Sequence, residues 1–496
     1  MNIPKNEHLQ DYLCRHAEGR PVRFHMPGHK GRRLYDRFGY RDFLQNFIDE
    51  DITEIPGADD LYQQTGVLRD LSERYRKLYG SRASYPLVNG SSCGLIAAIL
   101  ASVPRGEEIL IARNCHKSVF NGADLAAAEP VYIFPEIEED FGIAGGIRPA
   151  EVKAGLENHP DAAAVVVTSP NYYGIQSNIR EIADVVHEYG KILIVDQAHG
   201  AHLPFFQALK ESGEEVDFRC ESAEQQGADL VISSLHKTMA SFGQTALLNL
   251  CGDRVSPDDL LQALQKTQTS SPSYLLMASM DINADILEKH GPECIREWND
   301  QIRRFYKDAA RIKGLEVMQK PMQDQTKLNI SMRQLGLNGM QLQEELIRRN
   351  IWPELASGDL VMCLTGIGSI WEDEATLLEA LDDISSKQRE ITDKYVSAYT
   401  LDKYGAHTHD VCKKEQHANL FRLSRREHGS RRVKVPIHEA AGRVCAAPLI
   451  PYPPGIPTIC TGEVYTESVI DAIEKIKKRG EEIQGLDAEA QVFVFL

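Results

Sequence analysis

A lysine follows one of the short apolar runs of the sequence. Lys237 lies in Ser233-Ser234-Leu235-His236-Lys237-Thr238, directly after Leu230-Val231-Ile232. Apolar, β-branched runs of this kind are typical of buried strands, whose ends are crowded and partly dry. Desolvation lowers the pKa of a lysine amine and makes the amine a better nucleophile toward an aldehyde. A lysine exposed in a turn is compatible with the same residues, so this motif alone leaves both interpretations open.

An aspartate occupies the equivalent position after another apolar run. Asp196 ends Ile192-Leu193-Ile194-Val195 and precedes Gln197-Ala198-His199-Gly200. A buried carboxylate at this point needs a cationic or hydrogen-bonding partner. The pyridinium nitrogen of pyridoxal 5'-phosphate is such a partner, and a protonated ring is an electron sink. A lysine and an aspartate at the ends of two strands therefore favour this cofactor.

Small and hydroxylic residues precede a predicted helix. Asn89-Gly90-Ser91-Ser92-Cys93-Gly94 leads into Leu95-Ile96-Ala97-Ala98-Ile99-Leu100. Backbone donors at a helix N-terminus favour an anion, so this turn is a candidate for the cofactor phosphate, although glycine-serine turns are common. Ser234 and His236, beside Lys237, are further candidate donors.

A histidine, His116, follows the run Ile109-Leu110-Ile111. An isolated histidine is usually a structural or surface group. Because His116 comes after a strand, in the same relation as Asp196 and Lys237, we expect its imidazole to stack on the cofactor ring.

These residues need a common sheet to bring them together. Short apolar runs alternate with amphipathic helices from about residue 60 to 280, and one helix is predicted between Asn178 and Gly190. The runs are Ile109-Leu110-Ile111, Val131-Tyr132-Ile133-Phe134, Ala164-Val165-Val166-Val167, Ile192-Leu193-Ile194-Val195 and Leu230-Val231-Ile232. The pattern predicts an α/β domain with a predominantly parallel sheet whose strands are buried on both faces. Ligands of such sheets bind beyond the carboxyl ends of the strands.

The 496 residues are too many for one compact core. We predict an N-terminal arm over 1–60, a large cofactor-binding domain over 61–300, a small α/β domain over 301–400 and a C-terminal region over 401–496. A long helix from about Asp281 to Ile312 leaves the large domain, and a last helix runs from about Thr466 to Arg479.

Composition excludes several classes of protein. The formal net charge of −17 argues against nucleic-acid binding, and no apolar run is long enough to cross a bilayer. Ten scattered cysteines without a CxxC pair indicate reduced thiols, so we expect a cytoplasmic protein without disulfides. Cys412 with His407, His409 and His417 suggests a metal site, but a polar connecting segment is the better interpretation, and we expect no metal.

Further motifs extend the pattern across nearly the whole chain. They are Phe24-His25-Met26-Pro27-Gly28-His29-Lys30-Gly31, Asp51-Ile52-Thr53-Glu54-Ile55-Pro56-Gly57, Thr269-Ser270-Ser271-Pro272-Ser273-Tyr274 and Tyr452-Pro453-Pro454-Gly455-Ile456-Pro457. With the lysine, aspartate and glycine-serine motifs, this ordered set resembles the Orn/Lys/Arg decarboxylase family of bacterial basic-amino-acid decarboxylases, in its shorter branch without a receiver-like N-terminal domain. The resemblance implies the aspartate-aminotransferase-like fold of type I pyridoxal-phosphate enzymes.

The resemblance also implies roles for individual residues. Lys237 is then the Schiff-base lysine, Asp196 the pyridinium partner and His116 the ring-stacking group, while Thr168 and His199 lie close to the ring. The implied phosphate ligands are Ser91, Ser92, Ser234 and His236, and Cys93 is a further cofactor-binding residue. Ser271 is expected to reach the active site of a neighbouring subunit, since the family builds its sites at a dimer interface.

Two departures from the family pattern concern specificity. The family often has Glu where this chain has Gln197, and the segment Asp60-Leu61-Tyr62-Gln63-Gln64-Thr65-Gly66 differs from the usual histidine-containing pattern.

The expected activity is decarboxylation of arginine, lysine or ornithine to an amine and carbon dioxide, with arginine slightly favoured. Glu463, after the proline-rich turn, is the candidate for binding a cationic substrate side chain, and a surface glutamate is an equal alternative. Another pyridoxal-phosphate activity, such as transamination or elimination, stays open. So does a catalytically silent regulatory homologue.

Overall fold

The computed structural model describes residues 7–395, 431–452 and 454–496. Residues 7–60, which we call the arm, contain short elements. They are helix α1 (Leu9–Glu18), strand β1 (Val22–Phe24), helix α2 (Arg33–Arg37) and helix α3 (Arg41–Gln45).

The large domain alternates strands and helices. In chain order it contains α4 (Val67–Tyr79), β2 (Ala83–Leu87), α5 (Gly90–Ser102), β3 (Glu108–Ala112), α6 (Lys117–Ala126), β4 (Glu129–Ile133), β5 (Ile137–Glu138), β6 (Ile143–Ala144), α7 (Pro149–Asn158), β7 (Ala164–Thr168), α8 (Ile179–Glu188), β8 (Ile192–Asp196), α9 (Leu203–Glu211), β9 (Leu230–Ser233), α10 (Leu235–Thr238), β10 (Ala246–Leu250) and α11 (Pro257–Thr267). All five predicted strands and the predicted helix α8 are present.

Seven strands form the main sheet in the order β2-β10-β9-β8-β7-β3-β4, and β10 runs in the opposite direction to the other six. Thr168 pairs with Asp196, and Asp196 pairs with Ile232, so the carboxyl ends of β7, β8 and β9 lie level. This confirms the predominantly parallel sheet. The expectation that every run is buried on both faces is wrong for β4, because β4 forms the sheet edge and Val131 and Tyr132 are partly exposed.

Helix α12 (Tyr274–Ala309) connects the large domain to the small one. It begins earlier than the sequence predicts because the Ser273 hydroxyl accepts a hydrogen bond from the Leu276 backbone N–H and caps the helix. The predicted domain boundary at residue 300 therefore falls inside one continuous helix.

The small domain is built on an antiparallel sheet. It contains β11 (Glu316–Val317), β12 (Lys327–Ser331), a 3-10 turn (Arg333–Leu335), α13 (Gly339–Arg348), β13 (Ile351–Pro353), β14 (Leu355–Ser357), β15 (Leu360–Leu364) and α14 (Trp371–Tyr395). The sheet order is β11-β12-β15-β14, and β13 pairs instead with β1 of the arm, in parallel. One apolar cluster contains Phe24 of the arm, Phe206 of α9, Trp298 of α12 and Leu328 of β12, so these parts share a core.

The C-terminal region packs around its own apolar cluster. Its elements are β16 (Arg432–Pro436), a 3-10 turn (Ile437–Glu439), β17 (Ile450–Pro451), α15 (Glu467–Lys478), β18 (Ile483–Gln484) and β19 (Gln491–Phe495). Thr466 caps α15, close to the predicted start of the last helix. Leu449, Tyr465, Ile470 and Val492 belong to the cluster. Within the described residues, no helix has both the length and the apolar character needed to cross a membrane.

Candidate active site

Lys237 lies on the short helix α10, directly beyond β9. Its Nζ is 2.8 Å from Nε2 of His199. Burial lowers the pKa of Lys237 from 10.5 to about 8, against the opposing effects of the Asp196 and Glu354 carboxylates. Lys237 is half-buried on a helix, so the alternative of an exposed turn lysine is wrong. Its role as the nucleophile stays a prediction, and an amine whose pKa is lowered in this way is suited to it.

Asp196 is the last residue of β8 and is 2% exposed. One of its oxygens, Oδ1, accepts a hydrogen bond of 3.1 Å from the Ala198 N–H. Burial raises the pKa of this carboxyl above its usual value, while the Lys237 charge acts in the opposite direction. A carboxylate in these surroundings is suited to a cationic partner bound in the same cavity.

Two hydroxyls meet at the start of helix α5. The Ser234 Oγ donates to the Ser91 Oγ over 2.9 Å, and Gly90 holds the turn with φ +75°. Ser92 follows in the same first turn, partly buried. The side chain of Cys93 points back into the helix, because its Sγ donates to the Gly90 carbonyl over 3.0 Å, so this thiol is not aimed at the turn.

His236 is hydrogen-bonded to the backbone directly before β10. Its Nδ1 lies 2.8 Å from the Thr245 carbonyl, and burial lowers its pKa to about 4. The ring is therefore neutral at pH 7, and Nδ1 carries the proton donated to this carbonyl.

His116 caps helix α6, with Nδ1 2.8 Å from the Ser118 Oγ. Burial and the charge of Lys237 lower the pKa of His116 to about 3, so the ring is neutral. The C-terminal region covers it. A Cβ on Gly455 would lie 2.9 Å from the His116 ring, and the Gly455 carbonyl accepts from the Lys117 N–H over 3.0 Å.

Thr168 and His199 complete the predicted set. The Thr168 Oγ1 donates to the Cys115 Sγ over 3.3 Å beside Asp196. His199 is buried, and its Nδ1 has no hydrogen-bond partner in the described part of the chain. Since Nε2 faces the amine of Lys237, the unpartnered Nδ1 is a polar atom that a bound group or a water molecule would satisfy.

Two further predicted residues lie in the loop before α12 and in the C-terminal region. Ser271 is exposed in the loop before α12, and its subunit-bridging role stays a prediction. Glu463 is 1% exposed, accepts from the Cys460 N–H over 2.7 Å and lies 3.4 Å from the Arg113 guanidinium. Its charge is already compensated within the protein. Its substrate role likewise stays a prediction.

Sequence reasoning missed Tyr172 and Glu354. The Tyr172 ring centre lies 4.5 Å from that of His199 and 6.0 Å from Nζ of Lys237. Its hydroxyl donates to Glu354 over 2.8 Å. Tyr172 follows β7, as Asp196 ends β8, and that position was an available signal. Glu354 lies in the small domain, where the sequence carries no motif for it.

Sequence reasoning also missed a buried ion pair beneath His199. Lys327 donates to Asp324 and, over 2.5 Å, to the His199 carbonyl. His202 lies 3.0 Å from the same aspartate. This pair fixes the backbone from which the His199 ring projects.

The side chain of Gln197, the glutamine that departs from the family pattern, is fixed by two hydrogen bonds. It donates to Glu224 over 2.9 Å and accepts from the Ala223 N–H over 2.7 Å. Gln197 is thus held by hydrogen bonds to a buried carboxylate and to the backbone.

The residues present fit pyridoxal phosphate. A half-buried lysine amine and a buried strand-end carboxylate interact electrostatically, hydroxyls meet at a helix start, and His199 presents an unpartnered polar atom beside the amine. Over residues 7–395, 431–452 and 454–496 no cluster of three metal-binding side chains occurs. Cys412, His407, His409 and His417 lie outside the described residues.

Solved structures define the class of fold. The chain is similar to the lysine decarboxylase LdcF of Francisella novicida, with a TM-score of 0.73 and 20% identity over 95% of this chain and 78% of that one. It is also similar to an alanine–glyoxylate aminotransferase from Nostoc sp., with a TM-score of 0.53 and 14% identity over 69% of this chain and 92% of the other. The fold is that of the type I pyridoxal-phosphate enzymes.

Sequence comparison then gives the family. Residues 8–331 match the major domain of Orn/Lys/Arg decarboxylase, and residues 415–494 match its C-terminal domain. The uncharacterised protein YaaO of Bacillus subtilis is 32% identical over 98% of this chain and 96% of its own length. An arginine decarboxylase of the same organism is 30% identical over 95% of this chain and 94% of its own length. The chain belongs to the Orn/Lys/Arg decarboxylase family.

Proposed function

We propose that this protein is a pyridoxal-phosphate-dependent decarboxylase of a basic L-amino acid, with arginine as the favoured substrate. The observation that carries the proposal is the half-buried Lys237 amine, which lies 2.8 Å from His199 and interacts electrostatically with the Asp196 carboxylate. Relatives named arginine decarboxylase, similar over nearly their whole length, support arginine over lysine and ornithine.

Each residue contributes one part of the chemistry. When bound, pyridoxal phosphate supplies an electron-withdrawing ring that accepts the electrons of the bond between Cα and the carboxylate. Lys237 would attach the cofactor, Asp196 would keep the ring nitrogen protonated, and His116 would cover one ring face. Ser91, Ser92, Ser234 and His236, with the backbone at Cys93, would hold the phosphate at the start of α5. Thr168, which pairs with Asp196 across β7 and β8, would lie close to the ring.

Lys237 and His199 are also the groups that can return a proton to Cα after carbon dioxide leaves. A single proton can be shared between Nζ and Nε2 across their 2.8 Å separation. The neutral state of His199, which burial favours by lowering its pKa, leaves Nε2 free to accept that proton.

The proposal includes a homo-oligomer in the cytoplasm, at least a dimer, that supplies amines for polyamine synthesis. The exposure of Ser271 supports a site completed by a second subunit, since this hydroxyl is at the surface of a single chain.

The first experiment replaces Lys237. Protein purified with pyridoxal phosphate is expected to show the absorbance of a lysine-bound cofactor and to release carbon dioxide from one of arginine, lysine or ornithine. Lys237→Ala should abolish both signals, while the exposed Lys153→Ala should keep them. Absorbance with transamination or elimination products instead would contradict decarboxylation, and absence of the absorbance in the unaltered protein would favour a silent homologue.

A further inference from the structure

The carboxylate of Glu354 lies at the junction of three parts of the molecule. Glu354 directly follows β13, which pairs with β1 of the arm. Its Oε2 accepts from the Met26 N–H over 2.9 Å, and its Oε1 accepts from the Tyr172 hydroxyl over 2.8 Å. The arm, the large domain and the small domain thus hold one carboxylate in a fixed orientation.

Both hydrogen-bond donors to Glu354 are neutral. Burial raises the pKa of Tyr172 well above its usual value, so its hydroxyl keeps its proton and stays a donor. No described residue forms a salt bridge with Glu354. The Lys30 amine interacts electrostatically with Glu354, but it donates its hydrogen bonds to the carbonyls of His25 over 2.6 Å and Leu364 over 2.8 Å. A carboxylate in partly buried surroundings without a cationic partner is stabilised by any cation that reaches it.

Glu354 also interacts electrostatically with Lys237, because its charge raises the pKa of the amine. Tyr172 spans the space between them, because its ring lies 6.0 Å from Nζ of Lys237 and its hydroxyl reaches Glu354. The side chain of a basic amino acid is similar in length to that of a tyrosine. A substrate held at Lys237 can therefore extend along the Tyr172 ring to this carboxylate.

On the basic-amino-acid activity proposed above, we propose that Glu354 is the specificity-determining residue that binds the positively charged end of the substrate side chain. Glu463 is the alternative carboxylate, and its pairing with Arg113 leaves it less able to take this role. Tyr172 acts as a positioning residue, since its hydroxyl orients the carboxylate and its ring forms the wall along which the substrate lies.

The test measures binding rather than turnover. Calorimetric titration of the cofactor-loaded protein with agmatine, cadaverine and putrescine is compared with titration by butylamine, which lacks the distal cation. Glu354→Gln is expected to weaken binding of the preferred diamine by roughly 10- to 100-fold, as for loss of a hydrogen bond to a charged group. Butylamine binding should change by less than about threefold, because that ligand makes no charged contact.

Two variants separate the charge from a general effect on the fold. Glu354→Asp keeps the charge and should retain much of the diamine affinity, even if Glu354→Gln folds poorly. Glu379→Gln removes an exposed carboxylate on α14 and should leave both ligands unaffected. Equal weakening of diamine and butylamine binding in Glu354→Gln, or unchanged diamine binding, would overturn the inference. Failure of the protein to decarboxylate any of the three amino acids would instead overturn the proposed function, and the titrations would still report on Glu354.

Discussion

Burial controls the charge of the groups around Lys237. The amine has a pKa of about 8, and His116, His199 and His236 are neutral because burial lowers their pKa values. The cavity therefore contains few positive charges of its own at neutral pH. An incoming cationic substrate meets carboxylates rather than competing imidazolium groups.

A pH profile tests the lowered pKa of the Lys237 amine. A lysine attacks an aldehyde in its neutral form, so the rate of cofactor attachment to apoprotein should rise with pH and level off above about 8. Asp196→Asn removes a carboxylate that raises the pKa of Lys237, so the midpoint should move to lower pH. Stopped-flow absorbance across a pH series measures the midpoint of cofactor attachment. Asp184→Asn, on the exposed face of α8, is the matched control, and an unmoved midpoint in Asp196→Asn would contradict the assignment.

Single residues were predictable where they follow strands of the sheet. The sequence points to Lys237 and Asp196 because a polar group at the end of a buried apolar run is unusual. It points to His116 because this residue also follows a strand of the same sheet. Glu354 could not be found in this way. Its place in the cavity depends on pairing between β1 and β13, which are more than 300 residues apart in the sequence.

At the scale of elements, the arm is fastened to the turn that carries Lys237. The Gly28 N–H donates to the His236 carbonyl over 2.7 Å, and the Gly28 carbonyl accepts from the Gly368 N–H over 3.0 Å. A Cβ at Gly28 would lie 2.3 Å from the Thr238 backbone carbon. Three backbone segments therefore meet at a distance that only glycine allows.

Gly28→Ala is expected to force these segments apart. Overpacking of this kind costs typically 1–3 kcal/mol, so the variant should melt at a lower temperature and bind pyridoxal phosphate more weakly. Thermal unfolding with and without cofactor measures both effects. Gly243→Ala, where an added Cβ meets nothing within 4 Å, should behave like the unaltered protein. A Gly28→Ala protein of normal stability and cofactor affinity would show that the contact is dispensable.

The elements themselves were only partly predictable. The parallel strands are continuous apolar runs, which is why the pattern identifies them. β2 contains Ser84 and Pro86, and β10 contains the buried Asn249, which donates to Glu224 over 2.9 Å. A serine, a proline and an asparagine interrupt the apolar pattern in these two strands, and Ser84 donates to Asn249 across the strand pair over 2.6 Å.

At the scale of the whole molecule, Arg113 joins the C-terminal region to the large domain. The side chain is fully buried beside the β3–α6 loop and donates to the carbonyls of Pro457 over 2.7 Å and Thr458 over 3.1 Å. Glu463 neutralises its charge. This contact holds the Gly455 turn against His116.

Arg113→Met should destabilise the protein more than Arg113→Met combined with Glu463→Gln. The single change leaves a buried carboxylate without its cation, which costs about 3–5 kcal/mol, and the second change removes that charge. Melting temperatures of the two variants measure the difference. A double variant no more stable than the single one would mean that the lost carbonyl contacts, not the charge, dominate.

The position of Gly455 also has a consequence for biosynthesis. The wall against the His116 ring comes from the C-terminal region, whereas Lys237 and Asp196 belong to the large domain. During translation the ribosome releases the large and small domains well before this wall exists. A nascent chain can therefore present the Lys237 amine to free aldehydes before Gly455 covers His116, and a message with an early stop codon in this region would yield a protein without this wall.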